Sequence, residues 1–284
     1  MQSPEKVCPR VRCHWMHVLY VVVSVLALAG DALAEKPDPR DAKYENGELV
    51  RLEVAGRHGY LIRPTKKTDP QKSWVWEAPF WLAINDDQGR VQHRMYVERM
   101  LAAGLHVAGI DVGTSCGSPS GGEVCQKFFE HVTSEHGLHN KARLLVQSNG
   151  GLIGHAWAFR HPQHVDRIGG IYPAIDFRSW PGLDKVVAFP EPTLGFDLSL
   201  DELTRRAAEF NPIDNLAPLA KAGVRVFHIH GDADTLVPLD ANSARAVTIY
   251  TALGGDARVE VLKGLGHGGA EFYASESLVK FLIE

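Results

Sequence analysis

No internal repeat of solenoid or propeller period runs through the 284 residues, and neither a G-x-G-x-x-G fingerprint nor a P-loop is present. Excess charge is also lacking: 30 basic against 34 acidic residues leave a formal charge of −4. That balance gives no general electrostatic drive toward nucleic acid or an anionic membrane surface. Only four cysteines occur, with no paired Cys or His at ligand spacing, so neither a metal nor another cofactor is expected. The composition, 45% apolar and 23% charged, excludes a disordered, collagenous or coiled-coil chain. What is left is a core-forming protein.

Long apolar runs are few too. Val18 to Gly30 is uncharged but only 13 residues long, short of the roughly 20 a membrane-spanning helix needs. Lys6, Arg10 and Arg12 precede it against the single acid Glu5, and Ala32-Leu33-Ala34 follows as a small-x-small site. That order is the order of a secretory signal peptide, with cleavage expected before Glu35 and a secreted or periplasmic product. The alternatives are a buried N-terminal helix or a membrane anchor. Cleavage at that point leaves 250 residues, with 27 basic and 32 acidic side chains, enough for one large domain. Cys116 and Cys125 alone of the cysteines remain, nine residues apart. In an oxidising compartment they close a small loop or stay as two buried thiols, and spacing does not decide between these.

The rest of the chain alternates short strands with helices. Leu49–Val54 and Gly59–Arg63 read as a hairpin. Strands follow at Trp74–Trp76, Leu105–Ile110, Arg143–Gln147, Arg167–Ile171, Val224–His230 and Arg258–Leu262. Helices are expected near 92–103, 123–135, 150–159, 240–253 and from Ala270 onward. Residues 174–220, rich in proline and holding one charged helix near 199–210, interrupt the rhythm as an excursion over the sheet. Such alternation implies a mostly parallel sheet covered on both faces, with chemistry in loops at the carboxyl ends of its strands.

Three loops at such ends carry candidate residues. Val146-Gln147-Ser148-Asn149-Gly150-Gly151 is a strand–turn–helix with a serine at the turn. A serine there is either a helix N-cap or a nucleophile presented on a sharp elbow. His230-Gly-Asp-Ala-Asp234 follows a strand and offers a carboxylate that can hold an imidazole in one tautomer. Asp232 there suits local backbone binding. Gly264-Leu-Gly-His267-Gly-Gly269 places a histidine where no apolar face exists to pack it. The other histidines (His58, His93, His106, His131, His136, His139, His155, His161, His164) fall on hairpin, helix or strand positions where solvation or capping suffices. His228 and His230 read as packing or turn residues.

The order Ser148…Asp234…His267, each after a strand, resembles the α/β-hydrolase superfamily, and most nearly its secreted esterase-like and prolyl-oligopeptidase-type catalytic domains. Val107–Ser118, Gln147–Gly151 and His230–Asp234 carry the likeness. The sequence departs at Val146, where the elbow has glycine, and at His267, which precedes two glycines instead of ending the run. The resemblance implies a three-layer α/β-hydrolase fold over residues 35–284, with a mostly parallel sheet and a small lid at about 174–220. It implies Ser148 as nucleophile, His267 as general base and then acid, and Asp234 as the orienting acid. The oxyanion would take the backbone N–H of Asn149 and a second donor from Glu77 or Ala78 in the loop after the Trp74 strand. Trp76, Phe80 and Trp81 flank that loop, Trp180 lies in the excursion, and Trp76 and Trp180 are the candidate substrate contacts. The expected activity is carboxylic ester hydrolysis on a small-molecule or polysaccharide-linked substrate. No nucleic-acid partner and no membrane insertion after leader cleavage are expected. Two alternatives stand beside it: a prolyl-oligopeptidase-type serine peptidase, and a non-catalytic binding protein that keeps the scaffold. The lack of a recognisable acidic pair for a substrate amino group weighs against the peptidase.

Overall fold

A computed structural model describes residues 43–78 and 92–284. The expected leader, Phe80 and Trp81 lie outside the described residues. The chain opens with strands β1 (Gly47–Val54) and β2 (Arg57–Pro64). Their antiparallel register pairs Val54 with Arg57, so the turn is the two residues Ala55-Gly56, not the four-residue connection that the strand pattern suggests. Both turn residues have positive φ, 53° and 71°, the geometry that matches the natural twist of a hairpin. Then follow β3 (Trp74–Ala78), α1 (Arg94–Ala102), β4 (His106–Ile110), α2 (Pro119–Ser134), β5 (Ala142–Gln147), α3 (Asn149–Arg160) and β6 (Val165–Ile171). The last third holds α4 (Leu183–Ala188), α5 (Leu200–Phe210), α6 (Ala217–Lys221), β7 (Arg225–Gly231), α7 (Ser243–Ala252), β8 (Ala257–Leu262) and α8 (Glu276–Ile283). Helix starts are chemically marked. Ser118 accepts from the Gly121 N–H at 3.0 Å with Pro119 behind it, and Ser199 and Glu202 form a reciprocal capping box.

The eight strands form one sheet in the order β1-β2-β4-β3-β5-β6-β7-β8, antiparallel at the first three and parallel from β4 onward. Alternation along each strand divides the core. Trp74, Trp76, Leu144 and Val146 face α2 and α3, while Val75, Leu145, Phe227 and Ile229 face the other way with residues of α1 and α8. The aromatic stack is dense: Trp76 lies 5.7 Å from Trp74 and 4.8 Å from Trp157, centroid to centroid. Trp76 is therefore a core residue, 3% exposed, and not a wall of a substrate pocket. Its position in the strand decides this, because it shares the pleat of Trp74 beneath α2 and α3.

Within the proline-rich stretch the buried residues divide between two clusters. Phe177, Val186, Phe196 and Leu203 form a third cluster with Leu152 of α3 and Val237, and Trp180 packs against it half-buried. Ile213, Leu216 and Leu219 instead join the principal core, so residues from about 213 belong to the main layers. Asn242 pins the start of the excursion by accepting from the Ile175 and Asp176 N–H groups at 2.8 and 3.1 Å. Buried Asp176 in turn accepts from Asn211 and Arg245 at 2.7 and 2.8 Å. Among the described residues no helix is long and apolar enough to cross a membrane.

Of the two arrangements their spacing allows, Cys116 and Cys125 take that of two free, buried thiols. Burial pushes each thiol up to about 12, so the reactive thiolate is scarce at neutral pH. Alkylation of the folded protein at pH 8 without reductant is expected to leave both peptides unmodified by mass spectrometry. Both become fully modified once the chain is unfolded in guanidinium. A pair that needs prior reduction would contradict this arrangement.

Candidate active site

Strand β5 runs into Ser148, and α3 begins at the next residue. To turn so sharply Ser148 adopts φ 48° and ψ −121°, a conformation a non-glycine residue holds only when its surroundings enforce it. They do so from both sides. The Ser148 N–H donates to the Ile171 carbonyl at 3.1 Å, and the Ser148 carbonyl accepts from Gly151 and Ala174 at 2.9 Å each. Gly151 lets the backbones approach, since a Cβ there would sit 2.3 Å from the Ala174 oxygen.

Val146, the odd residue of the elbow, has a structural answer. Its side chain points into the sheet–helix interface opposite Gly154 of α3, where an added Cβ would lie 2.5 Å from Val146 Cγ1. Strand and helix approach here because residue 154 of the helix carries no side chain.

His267 reaches Ser148 from the loop after β8. Its Nε2 lies 2.8 Å from Ser148 Oγ and its Nδ1 lies 2.7 Å from Asp234 Oδ2. The other oxygen of Asp234 accepts from the Leu236 and Val237 N–H groups at 3.0 and 2.9 Å, which fixes the carboxylate's plane. Asp234 has no exposed side-chain surface, whereas His267 keeps 17% of its own. The array thus runs from a buried anion to an accessible hydroxyl. Such an array can move the hydroxyl proton to the imidazole while the carboxylate stabilises the imidazolium. His230, behind Asp234, donates from Nε2 to the Val237 carbonyl and accepts at Nδ1 from Ser243, both at 2.8 Å. Burial lowers its pKa, so it remains a neutral packing residue. Asp232 accepts from the Gly264 N–H at 2.6 Å and joins the two loops.

The three residues expected to act together are therefore brought together, with Asn149 at the first position of α3. There the leading N–H groups of a helix have no acceptors within the helix. Glu77 and Ala78 are placed differently. They are not in a loop but are the last two residues of β3, in register with Leu145 and Val146, and the loop beyond them lies outside the described residues. Glu77 faces inward and is bonded through its carboxylate to Tyr60 and His93. Trp180 packs half-buried on the lid cluster.

His93 is the residue that sequence reasoning missed. It is wholly buried, not solvated or capping, and its two nitrogens are bonded to Glu77 and Gln147. A signal was present: Glu77 is the one charged side chain in a strand whose other members are Trp, Val, Trp and Ala, and a buried carboxylate requires a partner.

Gly154→Ala is expected to cost about 1–3 kcal/mol of stability through overpacking against Val146. Pairing it with Val146→Ala should recover part of that cost, so the two changes are non-additive in urea unfolding. Strictly additive losses would mean that the two side chains do not share that space.

No protein-family model and no curated protein matches the sequence. Solved structures do. A puromycin hydrolase superposes with a TM-score of 0.60 at 14% identity, over 84% of this chain and 38% of its own. The dipeptidyl peptidase 4 of Porphyromonas gingivalis gives 0.60 at 14%, over 84% of this chain and 35% of its own. A truncated carbohydrate esterase from gut microbiota gives 0.57 at 18%, over 80% of this chain and 88% of its own. The chain spans little more than a third of the length of the first two. At such identities the likeness is one of fold: the protein has the three-layer α/β-hydrolase fold.

Proposed function

We propose that the protein is a serine hydrolase that cleaves carboxylic esters through an acyl-enzyme on Ser148. The observation that carries this reading is the continuous hydrogen-bonded run from Asp234 through His267 to a serine held at positive φ. A serine acting only as an N-cap would accept from the first turn of α3, and Ser148 makes no such side-chain bond.

In the proposed reaction His267 Nε2 takes the Ser148 proton as Oγ attacks the ester carbonyl carbon. The tetrahedral oxyanion is stabilised by the Asn149 N–H, with the start of α3 adding its dipole. Collapse breaks the bond to the leaving alcohol, which receives the proton from His267. Water then gives a proton to His267, attacks the acyl carbon, and releases the carboxylic acid while Ser148 Oγ regains its proton. Asp234 stays ionised throughout and holds Nδ1–H. The substrate is proposed to be a small or polysaccharide-linked ester met outside the cytoplasm, since the N-terminal sequence has the order of an export signal. The carbohydrate esterase, matched over 88% of its length, supports ester over peptide substrates. The likeness to peptidases keeps a serine peptidase as the second reading.

Hydrolysis of a short-chain aryl ester tests the proposal. Ser148→Ala should lower kcat by on the order of 10⁶ and Asp234→Asn by about 10⁴, with folding unchanged by circular dichroism. Turnover of aryl esters but not of aminoacyl-prolyl anilides separates the two enzyme readings. Full aryl-ester activity in Ser148→Ala, or none in folded wild type, would end the ester-hydrolase proposal.

A further inference from the structure

Behind the Ser148 elbow lies a chain of polar side chains that the reaction itself does not use. It begins at Tyr60 of β2, whose hydroxyl donates to Glu77 of β3. Glu77 is bonded through its other oxygen to Nδ1 of His93, the residue before α1. His93 Nε2–H donates to the side-chain oxygen of Gln147, the residue immediately before Ser148. Gln147 spends its amide protons on two hydroxyls, donating to Tyr172 at 2.7 Å and to Tyr273 at 3.1 Å. Tyr60, Glu77, His93 and Gln147 are all buried, between 0 and 3% exposed. The fold makes room for this chain: a Cβ on Gly109 would sit 2.6 Å from the Tyr60 ring.

Burying a carboxylate and an imidazole is costly, and well-packed apolar residues of the same volume are often as stable or more so. The chain's far end suggests what it supplies. Tyr172 lays its ring against the imidazole of His267, with centroids 4.3 Å apart. Tyr273 closes the short 3₁₀ turn Ala270–Tyr273 that follows the His267 loop. That loop contains Gly268 and Gly269 at φ 151° and 135°, so no side-chain bulk restrains its backbone there. Tyr172, which borders His267, and Tyr273, which ends the turn after its loop, are thus tied to one amide and, hydroxyl to hydroxyl, to each other, and that amide is attached to the strand carrying Ser148. The orientation of the amide is set by His93, since an oxygen turned toward Nε2–H directs the NH₂ group at the two hydroxyls. Burial, with Tyr273 beside it, raises the Tyr172 pKa, so this hydroxyl stays protonated.

We infer that Gln147 is a positioning residue of this site: through Tyr172 and Tyr273 it sets the distance between His267 and Ser148, and Glu77 and His93 orient it. The inference rests on the proposed role of Ser148 as nucleophile. It adds that the spacing of base and nucleophile is governed from a buried amide that touches neither the substrate nor the reacting atoms. A displacement of about 1 Å in such a pair can cost on the order of 100-fold in rate.

The test is a kinetic cycle on aryl-ester hydrolysis with Gln147→Met, Tyr273→Phe and the double variant. Gln147→Met should lower kcat about 10- to 100-fold with KM within about threefold of wild type. Tyr273→Phe should lower kcat less, and the combined loss should be smaller than the product of the two, the remainder reflecting the bond that Tyr273 keeps to Tyr172. The low-field proton resonance of His267 Nδ1–H should move in both single variants, which a simple loss of stability would not produce. Should Gln147→Met fail to fold, Tyr273→Phe decides alone: a lowered kcat at constant KM with a shifted resonance upholds the inference. Wild-type kcat and an unmoved resonance in a folded variant overturn it, as do multiplicative losses in the cycle. Wild-type protein that neither turns over ester nor reacts with a fluorophosphonate would instead remove the nucleophile reading beneath it.

Discussion

The structure depends on one sharp turn. Ser148 is held in a conformation that costs on the order of 1–3 kcal/mol for a non-glycine residue, and the surrounding architecture makes that conformation the only one available. Strand β6 supplies the acceptor at Ile171, the segment after it supplies the Ala174 donor, and Gly151 removes the side chain that would keep them apart. Helix α3 can then pack along the sheet with every residue from Gly150 to Ala158 buried. Burial of this helix is what holds the turn closed. The hydrophobic contacts of Leu152, Ile153 and Trp157 reach both the principal core and the lid cluster, so strain at one residue is opposed by packing on two sides.

From this turn the polar groups extend in two directions. On the solvent side lie His267 and Asp234, with the carboxylate buried and held by two backbone N–H groups, and the imidazole partly open to water. On the protein side lie Gln147, His93, Glu77 and Tyr60. The two branches meet at Tyr172, which borders the imidazole and shares the Gln147 amide with Tyr273. A loop containing two adjacent glycines at positive φ has little stiffness of its own. The position of His267 is consequently set by what its neighbours are bonded to.

Much of this was legible in the sequence, and the failures have physical causes. The alternation of strands and helices follows from side-chain periodicity, and it places Ser148, Asp234 and His267 after strands, where an open α/β sheet gathers its functional loops. Ser148 stood out by its strand–turn–helix setting, Asp234 by its place after a strand, and His267 because its glycine-rich loop offers no apolar face to absorb it. Trp76 misled because a large aromatic beside a functional loop has two uses, and only the pleat decides which: it shares a face with Trp74, under α2 and α3. The same pleat turns Glu77 to the opposite face, toward Tyr60 and His93, an arrangement that requires knowing which strands are neighbours. That β2 and β3 both flank β4 is a fact of topology, not of local sequence. Val146 was a visible anomaly whose room lies eight positions away, at Gly154 of α3, and no local motif records that packing.

The account stands on Ser148 being the activated hydroxyl, and the most direct measurement is the site of covalent capture. Wild-type protein treated with an alkyl fluorophosphonate, digested and sequenced by tandem mass spectrometry should carry a single phosphonyl group on Ser148. Modification at another residue, or an unmodified Ser148 in protein that is folded and hydrolyses esters, would contradict it.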